Sequence, residues 1–262
     1  MTDSVVEVTI ADHIAELRLN TPEQLNVFDD RMHAEFTDAL LGVGRRPEVR
    51  VILLSAAGKV FSAGGDFAYI EALASGPEAR KNVYDISFRL FSALVSTSVP
   101  IVAAVHGDAM GVGATIVTAS DIVVTTPTVR FADPHVMVGL CAGDGGVASW
   151  SASVGLMRAK RHLLTGEPLT GRDAHAWGLV TDLVEDATQV RDAARRIAAK
   201  IASLPPVAVQ GTKRAFSRLM QDFGMSAFKL SLAEEVRCLE TKDLLEAIAA
   251  AKARRKGQYS GT

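Results

Sequence analysis

The stretch from Pro100 to Asp144 constrains this chain most. It opens on an uninterrupted apolar run, Ile101-Val102-Ala103-Ala104-Val105, short enough for a strand buried on both faces. His106-Gly107 and then Asp108-Ala109-Met110-Gly111-Val112-Gly113 follow, a glycine-spaced turn running straight into the apolar segment Ala114 to Ala119, which reads as a helix. Asp121 to Thr125 reads as a second buried strand. Strand, glycine turn and helix start together present unpaired backbone N–H groups at the positive end of a helix dipole, a geometry that suits an anion. A second small-residue loop, Val60-Phe61-Ser62-Ala63-Gly64-Gly65-Asp66, also lies between a buried strand, Val49 to Leu54, and a helix. The alternation of strand and helix predicts an α/β fold.

Around this centre the pattern is regular. Val6 to Ile10 and Ile14 to Leu19 alternate about Asp12-His13 as an antiparallel hairpin does. Asp29 or Asp30 caps a helix with Met32, Phe36, Ala39 and Leu40 on its apolar face. Glu78 to Val95 is expected to be helical, Val136 to Gly139 a short strand and turn, and Leu179 to Val184 a strand. Short helices are expected at Ala159 to Leu164 and Gly171 to Trp177, and a longer one from Ala187 to Leu204, stopped by Pro205-Pro206. Two more helices are expected, Val207 to Met220 and Ser226 to Ala251. Residues 1–204 are thus read as the core that holds the site, and 205–262 as a helical region for oligomerisation or a lid.

Composition narrows the partners. Lys and Arg total 28 against 30 Asp and Glu, so nothing favours nucleic acid or an anionic membrane. No apolar run approaches a membrane span, and Met1-Thr2-Asp3-Ser4 does not start a signal peptide. Cys141 and Cys238 match no metal-ligand spacing. A cytoplasmic protein without a structural metal is expected.

Four segments in order resemble the crotonase, or enoyl-CoA hydratase/isomerase, superfamily. They are Thr21 to Val27, Gly58 to Asp66, Val99 to Asp121, and Phe131 to Gly146 continuing to Leu164-Thr165-Gly166-Glu167. The resemblance implies a spiral of ββα units with a C-terminal helical region, a homotrimer or dimer of trimers, and an acyl-CoA thioester as substrate. Coenzyme A enters as part of that substrate, and no other cofactor is implied. It also implies an oxyanion hole of two backbone N–H groups, mapped onto Ala63 and Val112, with Gly64, Asp66, Gly111 and Thr115 at the substrate; Asp66 is also expected to tie down the oxyanion loop. Preorganised donors of this kind are worth on the order of 3 kcal/mol each in acyl-transfer sites.

The chain departs from the hydratase pattern at both catalytic glutamates, which map to Thr115 and His135. A threonine hydroxyl cannot replace a carboxylate base, whereas an imidazole can. His135 is therefore the expected acid/base, with Asp144 as its orienter or partner acid. This pair followed by Gly145-Gly146 also resembles the 6-oxocamphor hydrolase branch, which cleaves β-diketones, and that branch has a late glutamate comparable to Glu234 or Glu235. The leading expectation is an acyl-CoA enzyme that stabilises a thioester enolate. The alternatives are a β-diketone C–C hydrolase and a non-catalytic acyl-CoA-binding scaffold. His106 is expected to make a structural hydrogen bond, and His13, His33, His162 and His175 to be surface or packing residues.

Overall fold

The computed structural model describes residues 4–262. Strands β1 (Val6–Ala11), β2 (Ile14–Leu19), β3 (Val51–Ala56), β4 (Ile101–Val105), β6 (Ile122–Thr125) and β9 (Asp182–Leu183) form the main sheet, in the order β1-β2-β3-β4-β6-β9. β1 and β2 are antiparallel, and every later pairing in this sheet is parallel. A small sheet joins β5 (Ala109–Met110), β7 (Arg130–Ala132) and β8 (Leu169–Thr170).

The apolar runs are explained by burial on both faces. Val51, Leu53, Val102, Ala104 and Val124 pack against Val190, Ala194 and Ala198 of the helix Val190–Ala202. Their neighbours Ile52, Leu54, Ile101, Ala103 and Val105 face a larger core with Phe36, Phe91, Trp150 and Phe228. Alternate residues of one strand thus enter two different cores, which removes any polar period from its sequence.

The ββα repeat is visible in three successive units. β4 of the main sheet leads to β5 of the small sheet and then to the helix Val112–Thr118. β6 leads in the same way to β7 and on to the helix Gly146–Val154. In the unit before them β3 is followed by Ser62, which bridges Ala109 in parallel, and then by the helix Phe67–Leu73. Each unit therefore delivers a loop to the same place, between a short strand and a helix. That place is the site.

Three elements differ from the sequence expectation. Val136 to Gly139 is no strand, because His135–Val138 coils as a 3-10 helix closed by Gly139 at φ 79°. Glu78 to Val95 divides into the helices Pro77–Arg80 and Val83–Ser96. The last two helices break elsewhere than expected: one runs from Pro206 to Cys238 and the next from Lys242 to Lys252. Gly224 does not interrupt the first, since a Cβ there would lie 3.1 Å from Ala148, so this glycine allows close helix packing. The true break is Thr241, whose hydroxyl accepts from the Leu244 amide and caps the last helix. Among the described residues no helix is long and apolar enough to cross a membrane.

Candidate active site

Three loops meet around a cavity of about 500 Å³ lined by Gly64, Gly65, Gly111, Val112, His135, Asp144 and Glu235. The first loop is held by Asn26, fully buried, whose side-chain amide donates to Ala57 O at 2.8 Å and Phe61 O at 3.2 Å. Ser62 Oγ donates to Asn26 O at 2.8 Å and accepts from the Gly64 amide at 3.2 Å. The second loop docks on the first, because Met110 N donates to Ser62 O at 3.0 Å. Gly111 has φ 50° and ψ −125°, a conformation that L side chains rarely adopt. That turn ends the short strand and starts the next helix at Val112.

The structure moves one expected oxyanion donor. The Ala63 amide already donates to Leu25 O at 3.0 Å and is not free for a ligand. Two residues on, Gly65 lines the cavity and its amide has no acceptor among the described residues, while its neighbours are fixed by Phe28 N donating to Gly64 O and Asp66 N donating to Phe28 O. Val112 is the first residue of its helix, where an amide has no intrahelical acceptor, and it too lines the cavity. Gly65 and Val112 are therefore the pair of unengaged amides, and Ala63 is not.

Two expected substrate contacts are corrected as well. Asp66 caps the helix Phe67–Leu73 by accepting from Tyr69 N at 2.8 Å, and it does not line the cavity. Thr115 is buried behind the wall and donates its hydroxyl to Asp144 Oδ1 at 2.9 Å. Its task is to hold Asp144. Gly64 and Gly111 do line the cavity.

The third loop brings the ionisable groups. His135 Nδ1 is hydrogen-bonded to Asp133, a fully buried carboxylate two residues back on the same turn. His135 Nε2 faces Asp144 Oδ2 at 3.7 Å and Glu235 Oε1 at 3.9 Å. Gly143 makes room for Glu235, since a side chain there would collide with it. Asp133 joins the group through its bond to Nδ1, and it is not among the residues expected from the sequence. Of the two late glutamates the structure selects Glu235, while Glu234 is exposed and lies 3.5 Å from Arg237.

The electrostatics follow from dry surroundings. Burial alone would lower the pKa of His135, but the charges of Asp133 and Asp144 and the hydrogen bond to Asp133 hold it well above 6.5. The imidazole is thus a cation near neutral pH. Burial raises the Asp144 pKa, with Asp133 adding to it and His135 and Thr115 opposing. Burial likewise raises Glu235, to about 8, helped by Asp144 and Asp133, so this carboxyl keeps its proton at neutral pH. One oxygen each of Asp133, Asp144 and Glu235 is buried without a partner. Asp133, His135 and Asp144 offer ligand atoms within 4.8 Å of one another, and Nδ1 of His135 is already engaged by Asp133.

The remaining histidines mostly sit where expected. His106 Nε2 lies 3.0 Å from Gly58 O, and His13 Nδ1 lies 2.9 Å from Glu48 O. His162 stacks on Trp150 and meets Trp177 at a tilt of 54°. His33 is the exception, because it lines the cavity.

The enoyl-CoA hydratase/isomerase family model matches residues 9–262. The chain belongs to that family. Its relatives include a 1,2-epoxyphenylacetyl-CoA isomerase from Escherichia coli (strain K12), 29% identical over 250 residues that cover 95% of each chain. A short-chain-enoyl-CoA hydratase from Clostridium acetobutylicum is 31% identical over 244 residues, 93% of this chain and 92% of that one. Among solved structures, an enoyl-CoA hydratase/isomerase from Mycobacterium paratuberculosis superposes with a TM-score of 0.89 at 30% identity, covering 94% of this chain and 98% of that one. The relatives thus include both an isomerase and a hydratase by name.

Proposed function

We propose that this protein binds an acyl-CoA thioester, holds the thioester oxygen on the amides of Gly65 and Val112, and moves the α-proton with Asp144 and His135. What supports the reading is one convergence: two unengaged amides and three ionisable side chains line the same cavity. Fixed N–H donors stabilise the negative charge that grows on the oxygen as an enolate forms. Asp144 Oδ2 has no bonded partner and a raised pKa, which suits a base. His135, held as a cation by its carboxylates, is the acid. The roles thus divide differently from the sequence expectation, in which His135 was the principal acid/base. One base that removes and returns a proton suffices for double-bond isomerisation. Hydration needs one group to take a proton from water and another to give one to the α-carbon; Asp144 suits the first role and the protonated Glu235 the second. Exposed Phe216, Leu219, Phe223 and Leu230 on one long helix support a homotrimer or dimer of trimers as the working form.

The test is incubation with crotonyl-CoA and with a saturated acyl-CoA in D2O, followed by mass spectrometry. Deuterium at the α-carbon is the expected result. Tight binding without exchange would instead favour the non-catalytic scaffold.

A second reading, cleavage of a C–C bond in a β-diketone, draws on Glu235 standing 3.9 Å from His135 Nε2. Asp144 would take a proton from water as it adds to one ketone, the C–C bond would break, and the departing enolate would take its proton from Glu235, which Asp144 then restores. Cleavage of a cyclic diketone with no exchange on CoA esters would select it.

A further inference from the structure

One wall of the cavity carries a polar group that the acid–base chemistry does not use. His33 lies in the first turn of the helix Asp30–Gly44 and is 9% exposed. Its ring meets Phe28 edge-on, with centroids 5.1 Å apart. Phe28 is also the residue whose backbone bridges to Gly65. His33 therefore stands with the oxyanion loop and not with His135. The charges acting on it are those of Asp30 and Asp29, and burial outweighs both, lowering its pKa to about 4. The ring is neutral over the working range.

Its proton can be placed by elimination. Nδ1 is buried without any partner. An orphaned lone pair is tolerated better than an orphaned buried N–H, so the proton belongs on Nε2. Nε2 is not among the buried atoms that lack a partner, no group among the described residues bonds to it, and His33 lines the cavity. Phe28, Ile70 and Leu73, which line the same cavity, are apolar. Such a donor is hydrated while the cavity is empty and loses its water when an alkyl chain fills the space.

We propose that His33 determines specificity: its Nε2–H receives an acceptor oxygen carried by the acyl part of the thioester. The substrate class is then an oxo- or hydroxyacyl-CoA in preference to a plain alkyl one. This rests on the acyl-CoA reading above and adds the position and chemistry of a second polar contact. A site built to hydrogen-bond a substrate group rejects the analogue that lacks it, because the buried donor is left unpaired.

The experiment is calorimetric binding to the full chain of hexanoyl-CoA and of its 3-oxo, 4-oxo, 5-oxo and 5-hydroxy derivatives. At least one oxygenated ester is expected to bind about tenfold more tightly than hexanoyl-CoA. In His33→Phe, which keeps an aromatic ring beside Phe28, that ratio is expected to fall to about one. In His33→Gln, which keeps an N–H donor, much of it is expected to return. A melting curve for each variant confirms folding, and if His33→Phe fails to fold, the wild-type ratios and His33→Gln decide. Equal affinity for every ester in the wild type, or a ratio that survives in His33→Phe, would overturn the proposal while leaving the acyl-CoA reading in place. Failure of the wild type to bind any of the esters would overturn both.

Discussion

Glu16 and Asp144 are both sealed from water, at 3% and 6% exposure, yet the protein treats them in opposite ways. Glu16 accepts from Ser55 Oγ at 2.7 Å and from two nitrogens of Arg191 at 2.7 and 2.8 Å, with Arg195 at 3.4 Å. Burial pushes its pKa up, but Arg191 and Ser55 outweigh burial and the net shift is downward. Asp144 has Thr115 and the Gly146 amide on one oxygen and nothing bonded to the other. Its nearest cation, His135, is itself surrounded by carboxylates. A carboxylate whose oxygens are all engaged fixes structure. One with a bare oxygen at a cavity is available for proton transfer, and the protein gives up stability there in order to hold it.

The comparison can be broken most sharply at Asp144. Asp144→Asn keeps the shape and removes the base, so turnover of the acyl-CoA substrate is expected to fall by about 10²–10⁴-fold. The melting temperature is expected to stay level or rise, because a buried charge is gone. A similar loss, about 10²-fold, is expected for Gly64→Ala. Gly64 has φ 93°, and a Cβ there would lie 3.0 Å from Met110 O, so the loop that aims the Gly65 amide must shift.

Arg191→Met inverts the pattern. It strips Glu16 of two hydrogen bonds, and the loss is expected to be about 2 kcal/mol in denaturant unfolding, less than for a fully buried pair because Arg191 is half exposed and Arg195 remains. Activity per folded molecule is expected to be unaltered.

Glu235 sharpens the comparison through pH. Its pKa is raised from 4.5 to about 8 in the folded chain, so the folded state binds this proton more tightly than the unfolded state does. Its contribution to stability is complete below about pH 4.5 and is lost as pH rises towards 8. Glu235→Gln, a mimic of the protonated acid, is expected to lose less stability than the wild type across that window, as melting temperatures at a series of pH values will show. Parallel curves would mean that Glu235 is ionised at neutral pH. The smallest effect belongs to Thr115→Val, which removes one hydrogen bond to Asp144 and is expected to slow turnover only several-fold.

Much of this was readable from sequence, for reasons that differ by element. The strands β3 and β4 were legible because burial on both faces leaves an unbroken apolar run, and His135 and Asp144 because an imidazole and a carboxylate flank a turn next to glycines. Which amide stays unengaged is not legible, because whether Ala63 or Gly65 is free depends on where Leu25 O falls, and no local pattern shows that. Asp66 and Thr115 belonged to the right segments, but a side chain that caps a helix or props a neighbour looks the same in sequence as one that meets a ligand. His33 was read as packing, and it does pack on Phe28, yet it also reaches the cavity through a helix far away in sequence. Local chemistry is written in local sequence; the choice of which polar atoms stay unpaired is written in the tertiary fold.

The most direct measurement follows deuterium uptake at the α-carbon of a saturated acyl-CoA by the wild type and by Asp144→Asn, side by side at neutral pH. Uptake by the wild type and a loss of at least 10²-fold in the variant, with binding retained, is the predicted result. Equal uptake by the two proteins would contradict it, since the bare carboxylate beside His135 would then not be the group that takes the proton.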